Sequence, residues 1–245
     1  MGISVAEKLM RWKFGPMAPK LKHKKSRLSL GIFAADLGAL ASVGRDVASW
    51  GAELLHFDVM DGVFVPHFTG GPGFVAGHSD DLLMDVHLMV QRPADHVEAF
   101  VKAGADIVTI HVESYEPAAA LTKAREAAQD LGKNILAGYA VMPGTDLTSL
   151  EALSASKPDI ILVLALDPRT TDPVDVSAAC DRVQLLRSKF SDAVIQFDGG
   201  VTMNTIAEIT ASGADLIVSG SAIFKAQDRS AAFNEMNTIV ATATQ

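Results

Sequence analysis

The chain has 245 residues, 49% hydrophobic content, a net charge of -8 and a single cysteine, Cys180. An internal disulfide is therefore excluded, which suits a reducing, cytoplasmic setting. No run of about 20 apolar residues marks a membrane span, and Trp12-Lys13 and the tract from Lys20 to Arg27 break any secretory signal pattern.

The charge is uneven. Residues 1–27 hold eight Lys and Arg against one acid, Glu7, so they carry +7 and the remainder carries -15. An acidic body argues against nucleic acid as the main substrate. The basic leader reads as a solvated or oligomer-contacting extension, with an anionic surface as the other reading. Within it, Val5 to Phe14 is predicted as a short helix ended by Gly15-Pro16.

Residues 28–245 alternate between apolar runs and helical patterns. The predicted strands are Leu28–Phe33, Ala52–Asp58, Leu82–His87, Ile107–Val112, Ile135–Val141, Asp159–Leu166, Ala193–Phe197 and Leu216–Val218. Helices are predicted up to Trp50, over Pro93–Ala103, Pro117–Leu131 and Val174–Lys189, from Thr202 to Ser212, and over Ala231–Thr242. Pro at a helix start and Gly after a helix end place most of these boundaries. Asp146 and Thr202 are candidate N-caps. The strands are nearly continuous apolar runs, as strands buried on both faces are. Alternating strand and helix with short connections means a parallel sheet. Eight such units in about 220 residues favour a closed (β/α)₈ TIM barrel over an open sheet. The phrase Gly104-Ala105-Asp106 returns as Gly213-Ala214-Asp215, each time at a helix-to-strand corner, and is read as architecture. The tract Gly71-x-Gly73-x-x-Ala76 is not a dinucleotide fingerprint, because Pro66 and Pro72 interrupt the strand–turn–helix context.

In such a barrel the chemistry sits at the C-terminal ends of the strands. The polar residues predicted there are His56 and Asp58 on the second strand, His87 on the third, His111 and Glu113 on the fourth, and Asp198 on the seventh. His56 and Asp58 share one strand face, because side chains alternate. Two His and two Asp suffice to hold a divalent cation. Asp58 and Asp198 approach from separate points on the rim, which suits two-base chemistry at a carbon beside a ketone. The glycines of Gly199-Gly200 and Gly220-Ser221, after strands seven and eight, read either as a backbone cradle for a phosphate or as plain turn residues.

These stretches together resemble the ribulose-phosphate 3-epimerase family. The likeness is carried by Ile32-Phe33-Ala34-Ala35-Asp36-Leu37, His56-Phe57-Asp58-Val59-Met60-Asp61-Gly62, Asp85-Val86-His87-Leu88-Met89, the strand into His111-Val112-Glu113, Asp198-Gly199-Gly200 and Ser219-Gly220-Ser221, across about residues 28–225. The resemblance implies an isomerase that inverts C3 of a ketose phosphate, by default D-ribulose 5-phosphate to D-xylulose 5-phosphate. It implies one divalent ion, Zn, Fe(II), Mn or Co, held by His56, Asp58, His87 and Asp198. It implies Asp58 and Asp198 as the acid/base pair flanking an enediolate, and methionines against that enediolate at Met60, Met89 and Met142. Members are commonly homo-oligomers.

Three departures from the family's pattern stand out. Ala34 stands where a Ser is usual, and His67 where an Asn is usual. The glycine-rich loop after strand six is replaced by Asp167-Pro168-Arg169-Thr170-Thr171-Asp172, so Arg169 is a candidate substitute for lost backbone amides or a solvated loop residue. These changes point to a related epimerase of altered specificity as one alternative, and to a non-catalytic metal- or ligand-binding barrel as another. A lyase or decarboxylase is disfavoured, since no Lys lies in Asp58–Asp61 or beside Asp198.

Overall fold

The computed structural model describes residues 26–78 and 82–242. The helix predicted at Val5–Phe14 and nearly all of the basic leader lie outside the described residues. Eight strands, β1 (Arg27–Gly31), β2 (Leu54–Met60), β3 (Leu83–Met89), β4 (Ala105–His111), β5 (Leu136–Val141), β6 (Ile160–Leu164), β7 (Val194–Asp198) and β8 (Leu216–Ser219), close into a barrel in sequence order. Each neighbouring pair is parallel, and β1 pairs with both β2 and β8. Among the described residues no helix is long and apolar enough to cross a membrane.

Alternation divides each strand between two environments. On β2, Leu55, Phe57 and Val59 join the large apolar core under the helices. Leu54 instead joins Leu83, Ile107, Ile160, Val194 and Leu216 in a separate apolar cluster at the strands' N-terminal ends. Above that plug the barrel interior turns polar, with Ser29, His56, Asp85 and Gln196 all fully buried. Asp58, His87 and Asp198 lie one step further toward the C-terminal rim. The site is thus a continuation of the barrel's own interior rather than a loop added to it.

The corner phrase is structural. Asp106 accepts Met84 N–H at 2.9 Å and pairs with Lys133 at 3.1 Å. Asp215 accepts Ile195 N–H at 2.8 Å and pairs with Arg187. Asp159 repeats the arrangement with Ala137 N–H at 3.2 Å and Arg125 at 2.9 Å. The aspartates at the starts of β4, β6 and β8 each stitch a strand to the one before it and to a cation from a helix or the loop after it.

Several boundaries differ from the sequence expectation. The first strand stops at Gly31, and Ile32–Ala34 turn into a 3₁₀ helix closed by Ala35 N–H donating to Ile32 O at 2.9 Å. That turn brings Phe33 and Ala34 to the barrel mouth. The helix expected from Pro93 to Ala103 is two pieces, Pro93–Asp95 and Val97–Lys102, because His96 at φ -119° falls outside helical geometry. The sixth strand ends at Leu164, registered with Asp198 of β7, with Ala165 N–H donating to Asp198 O at 2.7 Å. Thr202 does not cap its helix, which begins at Ile206; its hydroxyl meets that of Thr205 at 3.1 Å. Asp146 does accept Thr148 N–H at 2.9 Å, just ahead of helix Thr148–Ala152.

Candidate metal centre and active site

His56, Asp58, His87 and Asp198 converge, each offering one ligand atom, and those four atoms all lie within 4.8 Å of one another. His56 Nε2 stands 3.2 Å from Asp58 Oδ1 and 3.7 Å from Asp198 Oδ2. His87 Nδ1 stands 3.1 Å and 3.8 Å from the same two oxygens. Both imidazoles are fully buried, whereas the Asp58 and Asp198 side chains are 25% and 14% exposed, so only the carboxylates reach the cavity.

Strand register explains the convergence. His56 sits opposite Asp85 and Asp58 opposite His87 across β2 and β3. The remaining nitrogen of each ring is already committed. His56 Nδ1 meets Asp85 Oδ2 at 2.7 Å, and that oxygen also accepts from Ser29 Oγ at 2.7 Å and Gln196 Nε2 at 2.5 Å. His87 Nε2 meets His111 Nε2 at 2.8 Å. Two ring nitrogens and two carboxylate oxygens therefore face one point, and the two carboxylates neutralise a divalent charge. This donor set fits Zn²⁺ and other borderline divalent ions.

The electrostatics set the two aspartates apart. Burial alone would raise Asp58, but His56 and His87 outweigh it and hold its carboxyl well below the usual range. Burial and the Asp58 charge push Asp198 up to about 7. Burial would lower His56, but the charges of Asp85 and Asp58 raise it well above the ordinary imidazole value.

A cavity of about 350 Å³ opens above this centre, within the size range of small-molecule sites. Gly31, Phe33, Ala34, Met60, Thr69, Leu166, Gly199, Gly200, Gly220 and Ser221 line it with Asp58 and Asp198. Gly199 at φ 96° and Gly200 at φ 67° adopt successive left-handed conformations, which suit glycine and turn the backbone sharply after β7. Gly220 lies against Gly31 and Ala34, where a Cβ would come within 3.0 Å of both Ala34 Cβ and Gly31 O.

Of the other residues singled out from sequence, Met60 lines the cavity. Met89 and Met142 are buried with Phe64, Val65, Ala140, Leu162 and Leu164 in an apolar cluster that Met60 joins at its edge. His67 is exposed in the loop after β2, its N–H donating to Val65 O at 2.8 Å. Arg169 folds back on Asp167 in a fork, with Nε donating to Oδ1 at 2.8 Å and Nη2 to Oδ2 at 2.6 Å.

Five further residues support the site: His111 and Glu113 are among the strand-end residues expected from the sequence, whereas Asp85, Thr69 and Asp61 were not singled out there. Asp85 holds His56, and His111 with Glu113 stands behind His87. Thr69 ties the loop to the strand end, donating to Asp58 O at 2.6 Å and accepting Met60 N–H at 2.9 Å. Asp61 accepts three backbone N–H groups, from Val63, Phe64 and Gln91, which shapes the loop under the cavity. Alternation alone places Asp85 on the face of His87, two residues on, and that signal was present in the sequence.

A model of the ribulose-phosphate 3 epimerase family matches residues 27–224. The ribulose-phosphate 3-epimerase of Chlamydia muridarum is 34% identical over 216 residues, covering 84% of this chain and 91% of that protein. Those of Bacillus subtilis and Escherichia coli are 31% and 32% identical, each with 97% of its own length covered, against 86% and 89% of this chain. Among solved structures, 3-hexulose-6-phosphate synthase from Salmonella typhimurium superposes with TM-score 0.64 at 18% identity, over 89% of this chain and 98% of that one. KGPDC from Streptococcus mutans superposes with TM-score 0.65 at 12% identity, over 89% and 98%. At those identities the structural likeness speaks to the barrel alone.

Proposed function

Because the chain belongs to the ribulose-phosphate 3-epimerase family, a family of carbohydrate isomerases, we propose that it inverts C3 of a ketose phosphate, by default D-ribulose 5-phosphate. The observation that carries this reading is the pair Asp58 and Asp198. They enter the cavity floor from β2 and β7, and their environments push their proton affinities in opposite directions. Asp58, held ionised, takes the proton from C3. Asp198 delivers one to the other face, and the roles exchange in the reverse direction. A divalent ion in the quartet would supply positive charge next to the enediolate oxygen. Met60 gives the intermediate an apolar neighbour, and the backbone at Gly199-Gly200 and Gly220-Ser221 receives the phosphate.

A related ketose phosphate is the second reading, favoured by one observation. The loop after β6 presents no glycine amides, and its single guanidinium is engaged by Asp167. The reaction itself is tested by incubating metal-analysed protein with D-ribulose 5-phosphate in deuterated water. Deuterium at C3 together with D-xylulose 5-phosphate is the expected result. Neither product, from this or any other ketose phosphate, would leave a binding barrel without turnover.

Metal loading is expected to release protons at pH 7. His56 and Asp198 both have raised proton affinity in the metal-free protein, and both must deprotonate to act as ligands. Protons bound below these pKa values compete with the cation, so affinity rises as pH rises through neutrality. Calorimetric titration with Zn²⁺ in buffers of different ionisation enthalpy reads the released protons directly; buffer-independent heats would contradict the expectation.

A further inference from the structure

Behind His87 runs a line of hydrogen bonds leading away from the cavity. His87 Nε2 meets His111 Nε2 at 2.8 Å, with ring planes only 29° apart and centroids 4.9 Å apart, the geometry of an end-to-end contact. His111 Nδ1 meets Glu113 Oε2 at 2.9 Å. The other oxygen, Glu113 Oε1, accepts Met142 N–H at 2.9 Å and the Thr145 hydroxyl. Arg182, from helix Val176–Lys189, fixes that turn by donating to Thr145 O at 3.0 Å and Met142 O at 3.2 Å. Both imidazoles are completely buried, so water does not compete for their nitrogens.

The direction of each bond follows from the far end. A backbone N–H can only donate, so Glu113 Oε1 must be an acceptor. The ionised carboxylate has no proton to give, so His111 Nδ1 carries one and donates it. A neutral imidazole with its proton on Nδ1 has a bare Nε2, which can only accept. His87 Nε2 must then be the donor of the shared contact. We propose that Glu113 and His111 are positioning residues that fix the ring tautomer of His87 when a cation is bound, so that its Nδ1, which otherwise meets Asp58 Oδ1 at 3.1 Å, is the bare ligand atom. The arrangement does for His87 what Asp85 does for His56, but through an intervening imidazole. Outer partners of this kind orient a ligand ring and raise its affinity for the cation.

This inference rests on the reading of His56, Asp58, His87 and Asp198 as the ligand set. Its distinctive consequence concerns two substitutions that remove the same charge. In Glu113→Gln the amide oxygen is drawn to Met142 N–H, which turns the NH₂ group toward His111. His111 Nδ1 must then accept, its proton moves to Nε2, and His87 is left protonated on the nitrogen that faces the cation. Glu113→Ala imposes no such reversal, because His111 keeps its own tautomer. A purely structural role gives the opposite order, since Gln preserves the shape of Glu and Ala leaves a void.

The test measures Zn²⁺ affinity by competition with a chromophoric chelator, with thermal melting of the metal-free proteins alongside. Glu113→Gln is expected to weaken binding on the order of 10- to 100-fold, and by more than Glu113→Ala. Equal losses, or a larger loss in Glu113→Ala, would overturn the proposal. His87→Ala retaining wild-type affinity would overturn the ligand assignment, and with it the inference. ¹⁵N spectra of the histidine rings in the Zn²⁺-loaded wild-type protein give an independent reading that needs no variant to fold. Protons on His111 Nδ1 and His87 Nε2 support the assignment; the reverse pattern refutes it.

Discussion

Asp198→Asn is expected to lower epimerisation by about 10³-fold or more while preserving deuterium exchange into one of the two epimers. Asp58→Asn is expected to show the same loss and to preserve exchange into the other. In the proposed mechanism each carboxylate acts on the reacting carbon from its own side, so each would remove and return a proton only there. Removing one leaves a base that exchanges without inverting. Loss of a positioned acid or base costs about 10²- to 10⁴-fold; inversion needs both groups in every turnover, which places the effect toward the upper end. An asparagine keeps an oxygen at the ligand position, and metal content measured on each variant separates lost chemistry from lost cation. Either variant epimerising within tenfold of wild type would exclude that aspartate as acid or base.

How much of this was legible beforehand depends on the range of the interaction involved. His56 and Asp58 fall on one strand face by simple alternation, and their position at a strand end needs only the apolar run before them. The meeting of β2, β3 and β7 side chains follows once eight strand–helix units imply closure. Register was not legible. That His56 lies beside Asp85, and Leu164 beside Asp198, depends on inter-strand pairing that no local pattern encodes. The tie of Asp85 to His56 was hidden for that reason, although Asp85 stands two residues from His87; His111 and Glu113 were read as strand-end residues, but not as partners of His87. Arg169 illustrates the converse. Its charge suggested an anion-binding role, but its guanidinium is engaged two residues back by Asp167, a local loop bond that composition does not reveal.

The closure of the barrel also depends on one residue far from the chemistry, and Gly138→Ala is expected to unfold the protein or lower its melting temperature by roughly 10 °C or more. Gly138 lies inside β5, opposite Thr109 of β4. A Cβ there would sit 1.7 Å from the carbonyl oxygen of Ile160 and 2.7 Å from its carbonyl carbon. The obstacle is backbone, so no rotamer change relieves it. Nor can the two strands separate locally. Asp159 N–H donates to Ala137 O at 3.0 Å on one side of the contact, and Tyr139 is registered with Ile161 on the other. Relief therefore requires breaking the β5–β6 ladder of a closed barrel, which has no free edge to absorb the shift. Substitutions of this kind belong with the rare losses above about 4 kcal/mol, against a total stability of about 5–15 kcal/mol. At about 2–4 °C per kcal/mol for a chain of this size, the melting shift is roughly 10 °C or larger. Gly144→Ala is the matched control, because a Cβ there meets nothing within 4 Å. A Gly138→Ala protein melting within about 2 °C of that control would show that the β5–β6 seam yields without opening. The tight approach would then be packing that the barrel can relax rather than a condition of its closure.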